Sequence, residues 1–281
     1  MIKVDKVLNV LELVVWSGYI KGEQPVSALV TAPVEAGKTD IILKFAQNEG
    51  CVALTDVTAY GIMRDYGQLI INKKVRHLII PDMVKPMSRG KDTVHSLIAF
   101  LNSLIEEGVF RVSTYAERIG APSTGVDLGV QPIPVRCGLI ATLAKDVLED
   151  GRHHWSRMGF MSRLPPVSYG YGVTTKMAIH ESIARRDYLG DAPTKLNLPS
   201  DDVEVRLESK EADELLNLTT MLSSLSGNNN PQKVYGFRLQ KHLQRLAMAN
   251  ALKGDREIVD QSDVDYVLSL AGCINLEYYP I

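Results

Sequence analysis

The chain has 281 residues, of which 45% are hydrophobic and 23% charged, so it can bury a core and is neither disordered nor collagen-like. Its formal charge of -2 argues against a strongly basic nucleic-acid coat but allows a local basic groove. Its three cysteines form no CxxC pair, which excludes a zinc or disulfide framework and predicts a reducing, cytoplasmic setting. Asn9 and Glu12 interrupt the longest early apolar run, so we expect no membrane span or signal peptide.

The first third of the chain alternates between helical and strand patterns. A wide apolar stripe predicts the first helix, and short apolar runs predict buried strands. The predicted elements are a helix over Asp5–Tyr19, a strand over Ala28–Thr31, a helix over Thr39–Ala46, a strand over Val52–Thr55, a helix over Ala59–Asn72 and a strand over Val75–Ile80. This alternation predicts a parallel sheet covered by helices.

The same alternation continues beyond a polar loop, and the C-terminal part is helical. We predict a helix over Thr93–Glu107, a β-hairpin with arms Val109–Tyr115 and Val130–Val135, a strand over Cys137–Leu143, a helix over Asp146–Arg157 and a strand over Val167–Tyr171. Asp187–Val203 has the composition of a linker. Helices then follow over Glu211–Leu225, Phe237–Leu252 and Ser262–Leu270, the last with Ser262 as its N-cap.

These patterns together predict an α/β fold, in which a three-layer parallel sheet covered by helices is followed by a small all-α domain. We expect residues 1–24 to form an N-terminal helix packed on the core. Residues 25–190 form the predicted α/β domain, with the hairpin inserted at about 109–135. Residues 191–281 form the linker and the helical domain.

A phosphate-binding loop is predicted between the first strand and its helix. The stretch from Ala32 to Thr39 fits the pattern GxxxxGK[ST] except for Ala32, which replaces the first Gly. In this pattern backbone N–H groups face the phosphates, the Lys meets the β- and γ-phosphates, and the hydroxyl holds Mg²⁺. The pattern therefore predicts binding of ATP and Mg²⁺ by Ala32, Pro33, Val34, Glu35, Ala36, Gly37, Lys38, Thr39 and Asp40.

A carboxylate for Mg²⁺ or water is expected at the end of a neighbouring strand. Asp82 follows the strand over Val75–Ile80 directly after Pro81. Most hydrolases of this class have Asp followed by Glu, whereas Met83 follows here. Asp82 therefore takes either the metal role or the water-polarising role, and the other role lacks its usual residue. A turn or helix cap is the alternative interpretation of Asp82.

In motif order the chain resembles AAA+ ATPases, most closely the branch with MCM helicases and MoxR-like ATPases. The resemblance covers about residues 25–270 and includes the long helix, the hairpin and the strand that ends in Ala141-Thr142. It implies that Thr142 is sensor 1, a residue that contacts the γ-phosphate and the attacking water, although many relatives have Asn there. A buried, hydrogen-bonded Thr is the alternative interpretation.

The resemblance also implies two arginines that report on nucleotide. The stretch Met158-Gly-Phe-Met-Ser-Arg163-Leu-Pro-Pro is similar to the family's stretch before its last strand, which makes Arg163 the first candidate for an arginine finger and Arg157 the second. The stretch from Phe237 to Ala251 resembles the MCM lid pattern RxLExLIRLxEAxA, which makes Arg238 the candidate for sensor 2. Surface arginines and solvated helix charges are the alternative interpretations.

The resemblance further implies self-association into a ring or filament and loops that face a central channel. Because the chain is short and carries no recognisable extra domain, we expect it to work with partner proteins. Cations on those loops can bind a phosphate backbone independently of sequence. The candidates for nucleic-acid binding are Lys85, Arg89, Lys91, Arg111 and Arg118.

Two functions follow as hypotheses. The first is an oligomeric AAA+ ATPase, a motor or remodeller that acts on nucleic acid or a protein complex. The second is a nucleotide-dependent binding switch that turns over little, because the usual carboxylate pair is incomplete. Under the second hypothesis, Asp92, Glu106 or Glu107 from the neighbouring helix remain candidates to replace the absent carboxylate.

Overall fold

One five-stranded parallel sheet carries the rest of the fold. The computed structural model describes residues 4–109, 135–187, 192–225 and 237–274. The strands are β1 (Ala28–Ala32), β2 (Gly50–Ala53), β3 (Val75–Ile80), β4 (Gly138–Ala144) and β5 (Pro166–Ser168). Their order is β2-β3-β4-β1-β5, and every neighbouring pair is parallel. β1 and β3 are buried along their whole length, as expected for a sheet covered on both faces.

Ten α-helices lie within the described residues. They are α1 (Asp5–Trp16), α2 (Lys38–Leu43), α3 (Ala59–Ile71), α4 (Val84–Met87), α5 (Lys91–Asn102), α6 (Lys145–Arg157), α7 (Val173–Arg185), α8 (Ser209–Leu225), α9 (Phe237–Lys253) and α10 (Gln261–Leu270). A π-helical turn over Ser103–Glu107 continues α5. No helix among the described residues is long and apolar enough to cross a membrane.

Two apolar clusters cover the sheet and divide the fold into layers. One cluster joins buried side chains of α1, α2, α9 and α10 to the sheet. The other joins α3, α5 and α6 to the sheet. The predicted fold class, a helix-covered parallel sheet with a helical C-terminal region, is therefore confirmed.

The register of the sheet decides which loops meet. β4 lies between β1 and β3, with Ala144 opposite Ala32 and Ala141 opposite Ile80. Because the strands are parallel, the loops that follow β1, β3 and β4 meet at one edge, which we call the carboxyl edge. The segments that precede the strands meet at the other, the amino edge.

The C-terminal helices pack against the N-terminal helix. The buried residues of α1, α9 and α10 belong to one apolar cluster, and Lys253 on α9 lies 2.9 Å from Glu12 on α1. The predicted division at about residues 24 and 190 stays a prediction.

The predicted hairpin lies mostly outside the described residues. Its two ends are described: Val109 and Val135 form an antiparallel bridge with N···O distances of 2.9 and 3.1 Å. The positions between them, including Arg111 and Arg118, belong to residues 110–134, which lie outside the described part of the chain.

Two local features differ from the sequence analysis. Helix α7 was not predicted, because Val173, Met177 and Ile183 are exposed on it and give no apolar stripe toward a core. The N-cap of α10 is Asp260 and not Ser262: the Asp260 carboxylate accepts from the Ser262 backbone N–H at 2.8 Å, and Asp263 completes a capping box.

Candidate nucleotide site

The loop after β1, which the sequence predicts to bind phosphate, enters α2 through a left-handed glycine. Gly37 is the N-cap of α2 and has a left-handed conformation with φ of 75°, which glycine adopts without strain. Glu35 also has a positive φ, 63°. Pro33, Val34 and Glu35 are exposed at the tip of the loop, and Ala36 is buried. The loop therefore presents its outer face at the carboxyl edge and has a fixed base.

The departure of Ala32 from the pattern has a structural reason. Ala32 is the last residue of β1 and pairs with Ala144 of β4. Its backbone is therefore extended, and alanine adopts that conformation without strain. The position does not require the conformational freedom of glycine in this chain.

Two tyrosines hold the base of the loop. The hydroxyl groups of Tyr169 and Tyr171 both donate to the carbonyl of Ala36, at 2.7 and 3.0 Å. Burial raises the pKa of both phenols, and the nearby charge of Asp40 adds to the rise. Asp40 itself is exposed in the first turn of α2. Sequence reasoning missed both tyrosines, since their contact with the loop crosses from β5 to β1.

Lys38 lies across its own loop. Its Nζ atom donates to the carbonyls of Ala32 at 3.1 Å and Pro33 at 2.7 Å. Burial lowers the pKa of Lys38, while the charges of Asp82 and Asp146 oppose this shift. These contacts hold the ammonium group at the carboxyl edge, where the phosphate-loop pattern places the β- and γ-phosphates.

One carbonyl joins the predicted metal residue to the predicted sensor. The Pro81 carbonyl accepts from Thr39 Oγ1 at 3.3 Å and from Thr142 Oγ1 at 2.5 Å. The backbone N–H of Met83 in turn donates to the Thr142 carbonyl at 3.0 Å. Asp82 Oδ1 accepts from the backbone N–H of Val84 at 2.9 Å, as in a turn cap. The loops after β1, β3 and β4 are thus connected by hydrogen bonds.

Sequence reasoning missed a second carboxylate at this edge. Asp146 is exposed in the first turn of α6, two residues beyond Ala144, which lies opposite Ala32 in the sheet. Its charge acts on Lys38, as that of Asp82 does. The signal that was available is a carboxylate in the first turn of the helix after the predicted sensor strand.

The arginines predicted to report on nucleotide lie together at the amino edge. Arg163 precedes β5, and Arg238 is in the first turn of α9. Arg163 Nε lies 2.8 Å from a carboxylate oxygen of Glu106, and Arg238 Nε donates to both oxygens of that carboxylate at 2.9 and 2.7 Å. Glu107 pairs with Arg163. Glu106 and Glu107 are therefore across the sheet from Lys38 and do not replace a carboxylate beside it.

A small, partly open cleft lies beside this ion-pair cluster. Its walls include Glu106, Arg163, Arg238, Lys241, His242 and Arg245. Arg245 pairs with Glu23 at 2.7 Å. Burial, followed by the charge of Arg245, lowers the pKa of His242 to about 3, so its imidazole is neutral at physiological pH. Arg157, the second finger candidate, is exposed at the end of α6.

The predicted nucleic-acid contacts differ in their surroundings. Arg89 donates to the Asp56 carboxylate at 2.6 Å and to the Val57 carbonyl at 3.1 Å. Lys85 and Lys91 are exposed.

Comparisons with known proteins support the fold. No family model matches the chain, and no curated protein matches it. Among solved structures, a full-length MCM homolog from Methanopyrus kandleri aligns with a TM-score of 0.53 and 12% identity. The alignment covers 98% of this chain and 56% of that protein, so this chain spans just over half the length of the homolog. At this identity the likeness shows a shared fold and no more.

Proposed function

We propose that this protein is an ATP-binding AAA+ ATPase that works as an oligomer. The observation that carries the proposal is the loop at the carboxyl edge, where left-handed Gly37 opens α2 and Lys38 and Thr39 follow it. This arrangement fits a triphosphate, because backbone N–H groups, a helix N-terminus and an ammonium group attract anions at one place.

In this proposal, different residues of the site bind the phosphates of ATP and the Mg²⁺ ion. The backbone of residues 33–37 and the Lys38 ammonium group would bind the phosphates, and Thr39 and Asp82 would hold Mg²⁺. The metal neutralises charge on the β- and γ-phosphates when it is bound. Thr142 would contact the γ-phosphate and the water. The donors fit a hard cation because they are a hydroxyl and a carboxylate.

Hydrolysis needs a group that accepts a proton as water attacks the γ-phosphorus and the bond to the β-phosphate oxygen breaks. Asp82 and Asp146 are the two carboxylates whose charges act on Lys38. We assign the metal to Asp82, because it directly follows β3 and hydrogen-bonds its own turn. Asp146 is then available to the water.

Catalysis in this proposal is shared between subunits. Arg163 and Arg238 lie at the amino edge, across the sheet from the loop of their own chain, so the nucleotide that they reach belongs to a neighbouring copy. An arginine that stabilises charge on the transferred phosphoryl group contributes ~10³ to 10⁵ in rate. A head-to-tail ring or filament brings the two edges together.

The proposed substrate is nucleic acid or a protein complex. Exposed Lys85 and Lys91 support contact with a phosphate backbone. Partner proteins, the three-part division near residues 24 and 190 and a cytoplasmic location remain parts of the same proposal.

A second candidate function is a nucleotide-dependent binding switch with little turnover. One observation favours it: Asp82 is the single carboxylate directly after β3, because Met83 stands where most hydrolases of this class have Glu.

Steady-state ATP hydrolysis tests both functions. The assay uses a series of protein concentrations, with and without single-stranded DNA, and compares wild type with Lys38→Ala, Arg163→Ala and Arg157→Ala. The matched surface control is Arg185→Ala, since that side chain is 71% exposed. A shared site predicts turnover that rises more than linearly with protein and falls in Lys38→Ala and Arg163→Ala. Equal turnover in wild type and Lys38→Ala would refute the proposal, and tight nucleotide binding without turnover would favour the switch.

A further inference from the structure

A single carboxylate holds both arginines of the amino edge. Glu106 contacts Arg163 Nε at 2.8 Å and Arg238 Nε at 2.9 and 2.7 Å. The Glu106 side chain is 24% exposed, and its backbone carbonyl accepts from Gln24 at 2.7 Å. Glu106 is thus anchored in the wall of the cleft with its carboxylate between two guanidinium groups.

Arg163 has several contacts within its own chain, although its buried Nε–H group makes no hydrogen bond to the described residues. In addition to Glu106, its guanidinium donates to the Gly159 carbonyl at 2.9 Å and to the Glu107 carboxylate. The side chain is only 11% exposed. Arg163 therefore reaches an anion outside its own chain only by giving up part of this set of contacts.

Arg238 is more accessible than Arg163. Its side chain is 40% exposed, and beyond Glu106 its guanidinium donates to Ser162 Oγ at 3.2 Å. The cleft around the two arginines also includes Lys241 and Arg245, whereas His242 is neutral. Four cations thus face three carboxylates, those of Glu23, Glu106 and Glu107, so the cleft keeps an excess of positive charge.

A carboxylate and a phosphoryl group present guanidinium groups with the same pattern of acceptor oxygens. A terminal phosphate carries more negative charge than a carboxylate, so it competes for the same donors. We propose that Glu106 is the internal counter-ion of an anion site formed by Arg163 and Arg238, and that a phosphoryl group binds there by displacing it. The ligand class is the terminal phosphate of a nucleotide held at the carboxyl edge of a second copy, so this inference rests on the proposed function.

Glu106 is therefore a positioning residue with two effects. It keeps the arginines together as a pair while the subunit is alone, and it opposes their transfer to the neighbour's phosphate. Its contact with Arg238 also ties the first turn of α9 to the end of α5, so displacement of the carboxylate frees that turn.

Tripolyphosphate binding measures this competition directly. The full-length Lys38→Ala protein lacks the phosphate-binding lysine of the other edge, so binding in that background reports on the arginine cleft. We expect Lys38→Ala/Glu106→Gln to bind tripolyphosphate about tenfold more tightly than Lys38→Ala by calorimetry, because two charge-assisted contacts to the carboxylate are removed. The matched control is Glu107→Gln. Among the described residues Glu107 pairs with Arg163 and not with Arg238, and its side chain is 52% exposed, so we expect a smaller gain.

Each outcome of the tripolyphosphate experiment either supports or overturns the inference about Glu106. Adding Arg238→Ala abolishes the gain if the cleft is the site. Equal affinity with and without Glu106→Gln, no measurable binding by either, or a gain that survives Arg238→Ala would overturn the inference. Glu106→Asp, which keeps the charge but shortens the side chain, is expected to fall between, and it replaces the glutamine variant if that protein does not fold.

A second measurement separates this inference from the proposed function. With Lys38 intact, Glu106→Gln is expected to lower the protein concentration for half-maximal turnover about tenfold while the KM for ATP stays the same. Turnover that is unaffected by Arg163→Ala would refute the shared active site, yet the tripolyphosphate result would still stand. An unchanged concentration dependence in Glu106→Gln, beside a loss of turnover in Arg163→Ala, would refute only the role of Glu106.

Discussion

The two tyrosines beneath the predicted phosphate-binding loop allow a quantitative test of how the loop is held. Tyr169 and Tyr171 donate to the same acceptor, the carbonyl of Ala36. Replacing either one by Phe removes one hydroxyl and leaves the carbonyl with the other. Replacing both leaves the buried carbonyl of Ala36 with neither phenol.

The expected free energies follow from this sharing. Tyr169 is fully buried, and its hydrogen bond of 2.7 Å is the shorter one, so Tyr169→Phe is expected to lower the free energy of unfolding by about 1 kcal/mol. Tyr171→Phe is expected to cost about 0.5 to 1 kcal/mol. In the double variant the buried carbonyl of Ala36 loses both phenol donors, so the loss of unfolding free energy exceeds the sum of the two single losses by about 1 kcal/mol or more.

Urea unfolding of wild type, the two single variants and the double variant gives the coupling energy between the two hydroxyl groups, provided that the slope m stays constant. Nucleotide affinity, measured on the same proteins, is expected to fall most in the double variant, because the loop loses its fixed base. Additive effects, within about 0.3 to 0.5 kcal/mol, would refute the reasoning that one carbonyl serves both hydroxyls.

Three further predictions concern the proposed catalytic carboxylate, acid stability and a buried carboxylate. Asp146→Asn is expected to lower kcat for ATP by ~10² to 10⁴ at unchanged nucleotide affinity, whereas Asp150→Asn on the same helix has no effect; equal rates would exclude Asp146. Burial lowers the pKa of His77 to about 4 and of His242 to about 3. Between about pH 6.5 and 4 these two imidazoles therefore take up protons in the unfolded chain but not in the folded one. Unfolding free energy measured at pH 5 should therefore be lower than at pH 7 by about 2 kcal/mol for each histidine, and Gln at either position should flatten the curve. Asp263→Ala removes a fully buried partner of Arg256, and thermal or urea melts should show a loss of about 3 kcal/mol.

The carboxyl edge was largely predictable from the sequence, because its signals are local. The turn at Gly37 and the hydroxyl of Thr39 stand within one short motif. Asp82 and Thr142 follow buried strands, and parallel strands bring such positions to one edge. Asp146 stands four residues after Thr142, yet nothing local distinguishes it from any carboxylate in the first turn of a helix.

The amino edge was less predictable, because its contacts are long-range. Glu106 and Arg238 are 132 positions apart, and neither the helical period nor a motif connects them. The resemblance singled out the two arginines but gave no sign of the carboxylate between them. Helix α7 was missed for a related reason. Its apolar side chains Val173 and Met177 are exposed, so the sequence shows no helical period of buried apolar residues there.

Strand β5 runs from the amino edge to the carboxyl edge of one subunit. Arg163 precedes the strand, and Tyr169, whose hydroxyl binds the Ala36 carbonyl, follows it six residues after Arg163. The extended part of this stretch, β5, has three residues and spans about 10 Å at ~3.3 Å per residue. In an oligomer of the proposed kind, a displacement of Arg163 toward a neighbour's phosphate would be transmitted along β5 to the predicted phosphate-binding loop of the same subunit. Each subunit would then pass the occupancy of one nucleotide site to the next through a single strand.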